Sequence, residues 1–407
     1  MVEKLADQPD GSVEKLADQP DGSVEKLAEF AFSPEQVQLR EAVRKFSAEN
    51  FGEQRARVLM ETDPRFDPKV WRRLGSELGV LGLSVPESDG GAGGTLVDQA
   101  IAVEELGAAL ACGPVFGTVL LAIPALVASP PGTVRDELLA ALVEGTRTAA
   151  FAVSDVAGSF DPARVTVTGT GTLTGTVERV VDGAADVLLV AATDADGVAL
   201  YAVDASGPGV QRTDLVTLDL TRPQATIELS EAQGQLVAGP EEAERVINHA
   251  LQVGSALLAA EQVGAAQHLL DLSVEYAKSR LQFGRPIGSF QAVKHRLAEG
   301  LVDLEHARSA AYHAAWALAD GSDDPALAAS IAQATASAAF TRIATDTIQV
   351  HGGIGFTWEH QAHLYFKRAT TDAALLGSAE AHRSRVAELV LDEAVADRAP
   401  RVAAGTR

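Results

Sequence analysis

The hydrophobic period of this chain changes twice, and that change limits what it can fold into more than any single motif does. From Ser33 to about residue 147 apolar residues recur at helical spacing, with Leu39, Val43 and Phe46 on one face. Ser33-Pro34-Glu35-Gln36 supplies a capping hydroxyl, a proline at the first helical position and a Gln able to close a capping box. Asp67-Pro68 opens a second helix running through Leu74 and Leu78 to Gly79. Ala/Leu-rich helical text follows from Leu96 to Glu144, broken at Gly113-Pro114 and Pro130-Pro131. From about Thr148 to Leu236 the text turns to short β-branched runs, RVTVTG, TLTG, VLLVAA, ALYAVD, LVTLDL and ATIELS, punctuated by Gly, Asp and Pro. The helical period then returns. Phe290, Val293, Leu297, Leu301 and Leu304 form one stripe, and helix starts near Glu241, Ser289, Asp324 and Gly377 predict a four-helix bundle. The fold class is therefore α+β: a helical domain over 31–147, a β domain over 148–238, a bundle over 239–396 and a tail over 397–407.

Ahead of these domains, VEKLADQPDGS begins at Val2, again at Val13, and a third time at Val24 before diverging. Each unit ends in Pro-Asp-Gly-Ser and has little to bury, so residues 1–30 are expected to form a disordered repeat tail. The 407 residues carry a formal net charge of −23 with no compensating Lys/Arg cluster, which excludes a nucleic-acid partner. No apolar run approaches the roughly 20 residues of a membrane helix, so no membrane partner and a cytoplasmic location are expected. The one cysteine, Cys112, can form neither an internal disulfide nor a Cys-rich metal site, and its setting in LGAALACGPV reads as small, helical and buried.

Two segments of the last domain carry chemistry. Tyr276-Ala-Lys-Ser-Arg-Leu-Gln-Phe-Gly-Arg-Pro-Ile-Gly-Ser-Phe-Gln291 and Gln349-Val-His-Gly-Gly-Ile-Gly-Phe-Thr-Trp-Glu359 place a fixed guanidinium and a side-chain-free turn in one domain. An Arg fork holds a pyrophosphate better than a flexible amine does, and backbone approaches a dinucleotide closely only where side chains are absent. The segments closely resemble the RxxFGxPIxxxQ and QxxGGxGF signatures of acyl-CoA dehydrogenases, and Leu81-Gly-Leu-Ser-Val-Pro-Glu-Ser-Asp-Gly-Gly91 resembles that family too. The resemblance covers Ser33 to about Leu391 and is weakest in the β domain. It implies FAD as cofactor, an acyl-CoA substrate, an electron-accepting flavoprotein and no metal. It also implies that Arg280, Gln282, Phe283, Gln291, Gln349, Gly352 and Gly353 reach across a subunit interface to a neighbour's FAD.

The same resemblance exposes what is missing. The family removes an α-proton with a carboxylate just before a Gly-Thr/Ser-Ala-x-x-x-Arg segment; here that segment starts at Gly377 and Leu376 stands where the Glu belongs. Some relatives keep the base about seven turns before the RxxFG segment, which falls at about Gly254, flanked by Gln252 and Ser255. No catalytic residue is assigned. A phrase like TEPxAGSD is replaced by Val153-Ser-Asp-Val-Ala-Gly-Ser-Phe160, and Thr176-Val-Glu-Arg-Val-Val-Asp-Gly183 lacks the ring-covering Trp and the Thr of the family's KxWIT strand. Groups supplied to a neighbour are kept and those supplied in cis are absent. The chain thus resembles the second subunit of the two-gene α2β2 acyl-CoA dehydrogenases of steroid degradation, which hold half the usual number of flavins. Two alternatives stand beside it: a self-sufficient homo-oligomer using Glu261 or Asp372 as base, and a protein binding acyl thioesters without redox chemistry.

Overall fold

A computed structural model of the chain describes residues 32–398 apart from Ser154 and Ala157. The expected repeat tail over 1–30 and most of the C-terminal tail lie outside the described residues. Helix α1 (Pro34–Asn50) begins as its sequence indicates: the Gln36 amide donates to Ser33 Oγ (3.2 Å), and the Ser33 amide donates back to Gln36 Oε1 (3.0 Å). After α2 (Glu53–Leu59), α3 (Pro68–Ser76) is capped by Asp67, whose Oδ1 accepts from Lys69 N at 2.9 Å. The almost wholly buried α4 (Leu96–Ala108) follows, then a π-helical run over Val115–Ala122 leading into α5 (Ile123–Ala128), and α6 (Thr133–Val143). Cys112 is buried as expected but lies in the loop after α4, and burial pushes its thiol up to about 12, so it is inert.

Strand β1 (Ala149–Ala152) and a small hairpin of β2 (Asp155–Val156) and β3 (Ser159–Phe160) lead into a barrel. Its strands are β4 (Val167–Thr168), β5 (Thr172–Val181), β6 (Val187–Thr193), β7 (Val198–Asp204) and β9 (Gln224–Ala238). They close in the order β6-β4-β5-β9-β7 and back to β6, while β1 joins β6 in parallel and β8 (Val210–Asp214) flanks β9. Strand β6 is buried on both faces because alternate residues enter different cores: Leu188 and Val190 fill the barrel, Val187 and Leu189 pack towards the helices. The run LVTLDL, expected as a strand, is an irregular connection in which Val216 and Leu218 are exposed and Asp219 is buried. Asp219 Oδ1 accepts from Thr221 N (2.8 Å) and Thr221 Oγ1 (2.6 Å), and this turn brings the carboxylate to a buried guanidinium instead of a ladder.

The C-terminal helices are α7 (Ala243–Ser279), α8 (Gln291–Asp320), α9 (Pro325–His351) and α11 (Ala379–Arg398), with a short α10 (Ala362–Asp372) that the sequence pattern did not signal. Between α7 and α8 sits a hairpin of β10 (Leu281–Gln282) and β11 (Arg285–Pro286). Helix α7 is the axis of the molecule. It crosses α4 at Gly107 and Gly264, where a Cβ on either glycine would collide with the carbonyl of Glu261 or Glu104. Of the stripe on α8, Leu304 is buried and Leu297 half-buried, but Leu301 stays exposed beside Val302. No helix among the described residues is long and apolar enough to cross a membrane.

Candidate functional site

All seven residues expected to face a neighbour's flavin lie at one end of the bundle, exposed. Arg280 caps α7, its amide bonded to the Tyr276 carbonyl at 2.8 Å, and no hydrogen bond or ion pair holds its guanidinium among the described residues. Pairing of Gln282 with Arg285 throws Phe283 to the hairpin tip, 84% exposed and at φ +52°. A non-glycine residue with positive φ is strained, and Phe283 makes an edge contact with Phe290 at 6.2 Å. Gln291 is the first residue of α8. Gln349 lies in the last turn of α9, which Gly352 ends at φ +62°, and a Cβ on Gly352 or Gly353 would meet nothing within 4 Å. The Tyr276 and His351 rings stack at 4.3 Å, so the ends of α7 and α9 stand side by side. Leu281 and Phe283 of the hairpin and Ile354, Phe356 and Trp358 after α9 add exposed apolar surface to the two segments.

A cleft of about 910 Å³ opens between the barrel and the bundle, lined by Phe116, Leu121, Phe151, Leu251, Leu375 and Leu376 among others. Here the two positions expected to hold a base converge. Leu376 Cδ1 lies 3.3 Å from a Cβ built on Gly254, and Leu121 presses on the same spot, so both alternatives end in one apolar contact. Leu376 is buried at φ +55°, with its carbonyl 2.7 Å from His382 Nε2. A carbonyl only accepts, so Nε2 carries the proton, and this buried imidazole, which the sequence reading passed over, fixes the turn. On the barrel side, a bulge between Val177 and Val180 puts Arg179 at φ +56° and turns exposed Glu178 and Arg179 onto the rim, where the ring-covering Trp is missing. A second cleft of about 980 Å³, between the N-terminal helices and α7, holds Glu104 and Glu105, but Arg40, Arg44 and Arg308 already pair with them.

Neither Glu261 nor Asp372 faces the 910 Å³ cleft. Both belong to a buried cluster with Arg222, Arg368 and Asp219 that ties the β8–β9 connection of the barrel to α7 and α10. Arg222 pairs with Glu261 and lies 3.0 Å from Asp372; Arg368 bonds Glu261 Oε1 and Asp219 Oδ2, both at 2.7 Å. Burial pushes Glu261 up, but the two guanidiniums outweigh it and hold its carboxyl below the usual range. Asp372, fully enclosed, is raised to about 7 by burial, with the Glu261 charge adding to the rise and Arg222 opposing it. A carboxyl whose folded pKa exceeds its ordinary 3.8 is favoured by the proton the folded chain keeps. That stability is full below the ordinary value and lost as pH rises through about 7. The wild-type urea midpoint should accordingly fall between pH 5 and pH 8, and Asp372→Asn should flatten most of that fall. A slope unchanged in Asp372→Asn would assign it elsewhere, with Asp182, pushed up to about 6 by burial, the next group to replace.

Residues 33–146 match the acyl-CoA dehydrogenase N-terminal domain family, and residues 244–391 match the C-terminal domain family. The chain is 38% identical to the acyl-CoA dehydrogenase IpdE2 of Mycobacterium tuberculosis, over 85% of its own length and 94% of that protein's. IpdE2 of Mycolicibacterium smegmatis is 35% identical, over 85% of this chain and 95% of that protein. Among solved structures, the chain is similar to one in the ChsE4-ChsE5 complex from Mycobacterium tuberculosis, with 32% identity and a TM-score of 0.80, covering 89% of this chain and 99% of that one. A variant of the Tcur3481-Tcur3483 steroid ACAD gives 30% identity and a TM-score of 0.79 over 89% and 99% of the respective chains. Barrel and bundle, the signatures gathered at the bundle end and likeness over nearly the whole described chain agree: the protein belongs to the acyl-CoA dehydrogenase family, whose cofactor is FAD.

Proposed function

We propose that this chain acts in the α,β-dehydrogenation of an acyl-CoA thioester as the subunit that completes a partner's FAD site without supplying the catalytic base. The observation that carries this is the contact of Leu376 with Gly254, because it leaves no proton acceptor at either position where the family places one. The bundle end fits half of a dinucleotide site: an unpaired Arg280, an exposed aromatic at Phe283 and a glycine turn with open space above it. The cleft fits the other half poorly, with charged Glu178 and Arg179 on its rim at the bulge where the family's ring-covering Trp would stand. FAD, when bound, takes up the β-hydride of the substrate. In this reading Arg280 holds the pyrophosphate, Phe283 and Gln282 cover the adjoining ribose and ring, and Gly352 and Gly353 let backbone approach. The occupant of the exposed patch is a second acyl-CoA dehydrogenase-type subunit. The relatives solved as the ChsE4-ChsE5 complex and the Tcur3481-Tcur3483 steroid ACAD support pairing of two different chains and an acyl-CoA of steroid breakdown as substrate.

Expressed alone, the chain should purify with little or no FAD, whereas co-expression with an adjacent dehydrogenase gene should yield a yellow complex that bleaches with an acyl-CoA. Stoichiometric FAD and turnover by the chain alone would return it to the self-sufficient class. Within the complex, Arg280→Ala should strip most of the flavin and Arg280→Lys restore only part, since a point charge loses the two-pronged bond to phosphate. Flavin content unchanged in Arg280→Ala would leave that residue as a helix-end charge.

A further inference from the structure

Resting on the reading that the bundle end serves a partner's FAD, we infer that the stacked pair Tyr276–His351 is a positioning device that sets Arg280 and the Gly352-Gly353 turn at the spacing the dinucleotide requires. Arg280 and the glycine turn come from different helices, and neither is tied directly to the other. Each is joined through the main chain to the residue that supplies one ring of the stack. Tyr276 lies one turn before Arg280 and accepts its backbone amide at 2.8 Å; His351 immediately precedes Gly352. The rings meet at 4.3 Å with an interplanar angle of 27°. His351 is 4% exposed although the glycines beside it are open. Its Nδ1 lies 2.8 Å from the Thr347 carbonyl, which can only accept, so Nδ1 carries the hydrogen and the ring is held at the helix end. The chain then folds back over this ring: a Cβ on Gly355 would come 2.9 Å from His351 Cβ, and the His360 ring sits 4.4 Å away on another side.

The turn itself has almost no other support. The Gly352 amide bonds back to Ile348 (3.0 Å) and Gln349 (3.2 Å), and among the described residues no side chain lies within 4 Å of where a Cβ on Gly352 or Gly353 would stand. A turn built to let a ligand approach cannot be braced from the ligand side, so its position must be fixed from below. The buried His351 ring is the group that does so, and through Tyr276 it carries that position to the Arg280 cap. Removing either ring lets the two phosphate-facing elements move independently while each remains chemically intact.

The test is FAD affinity of the two-subunit complex, read by titrating FAD into the deflavinated complex and following flavin fluorescence, with thermal stability measured in parallel. Tyr276→Leu and His351→Ala should each raise the FAD dissociation constant about tenfold, the factor that loss of one well-formed ring stack corresponds to. Tyr276→Phe should stay within about twofold, because the stack survives and the phenolic hydroxyl has no partner among the described residues. Should Tyr276→Leu fail to assemble, His351→Phe against His351→Gln decides: Phe keeps the ring and Gln keeps a polar group at the helix end. Tighter FAD binding by the Phe variant supports the stack, and tighter binding by the Gln variant overturns it. A lower melting temperature with unchanged FAD affinity in Tyr276→Leu also overturns it, because that is the signature of a merely structural contact. Arg280→Ala in the same titration separates the two ideas. If it leaves affinity unchanged, the partner-flavin reading fails; if it abolishes binding while Tyr276→Leu does nothing, only the positioning role fails.

Discussion

Arg368→Ala is expected to lower the unfolding free energy by about 3–5 kcal/mol, the range for breaking a buried charge pair from one side. Arg368 is 2% exposed, and its guanidinium donates to Asp219 Oδ2 through Nε, to Glu261 Oε1 through Nη1 and to Thr221 Oγ1 through Nη2, each at 2.7 Å. Its removal leaves Asp219 without an ionic partner and Glu261 sharing Arg222 with Asp372. Asp219 cannot escape to solvent without dismantling the turn that joins β8 to β9 and packs the barrel against the bundle. Arg368→Lys keeps the charge but cannot reach three acceptors in one plane, so it should recover only part of the loss. Chemical denaturation of the chain alone measures both, and a cycle with Asp219→Ala should show coupling, because the two share one bond. A loss below about 1 kcal/mol in Arg368→Ala, the scale of solvent-screened surface pairs, would mean that water reaches the cluster and screens its charges.

The same cluster shows what a sequence can and cannot disclose. The succession of helical, β and helical text was legible because period is a local property, and so were the Ser33 and Asp67 caps. The segment around Arg280 was legible for the same reason: its residue types sit within a few positions of one another. The cluster was not, because Arg368 meets Glu261 and Asp219 across 107 and 149 positions, and nothing local marks a pair so far apart. That is why LVTLDL read as a strand: its Val and Leu alternate well enough, and only the distant guanidinium explains why Asp219 turns inward. Glu261 and Asp372 read as candidate bases for a similar reason, since burial could be inferred from small apolar neighbours while the charges already claiming them could not. The absence of carboxylates at Gly254 and Leu376 was visible in the letters, but their convergence on one point needed the packing of α7 against the turn before α11.

That convergence leads to the expectation that Leu376→Glu will not make this chain a dehydrogenase. General-base assistance is worth about 10²- to 10⁴-fold, so if the base were all that had been lost, restoring it should produce a readily measured rate. The turn argues otherwise. Leu376 is buried against Gly254 on the spot Leu121 also presses, and a carboxylate placed there would be held among these apolar groups, where burial raises its pKa and favours the protonated form. A proton acceptor also needs a hydride acceptor on the other face of the substrate, and the rim that should cover a flavin ring presents Glu178 and Arg179 instead. The variant should therefore show no acyl-CoA-dependent bleaching alone, and in the two-subunit complex it should leave both FAD content and turnover per flavin as they are. Turnover by Leu376→Glu on its own, with FAD retained through purification, would mean that the cleft still holds a complete flavin site and that one side chain separates this protein from a self-sufficient enzyme. Gly254→Glu tests the second position but adds strain, because its new side chain must displace Leu121 from the contact that a Cβ there already violates. The expected ordering is unchanged inactivity for both variants, with Gly254→Glu the less stable of the two.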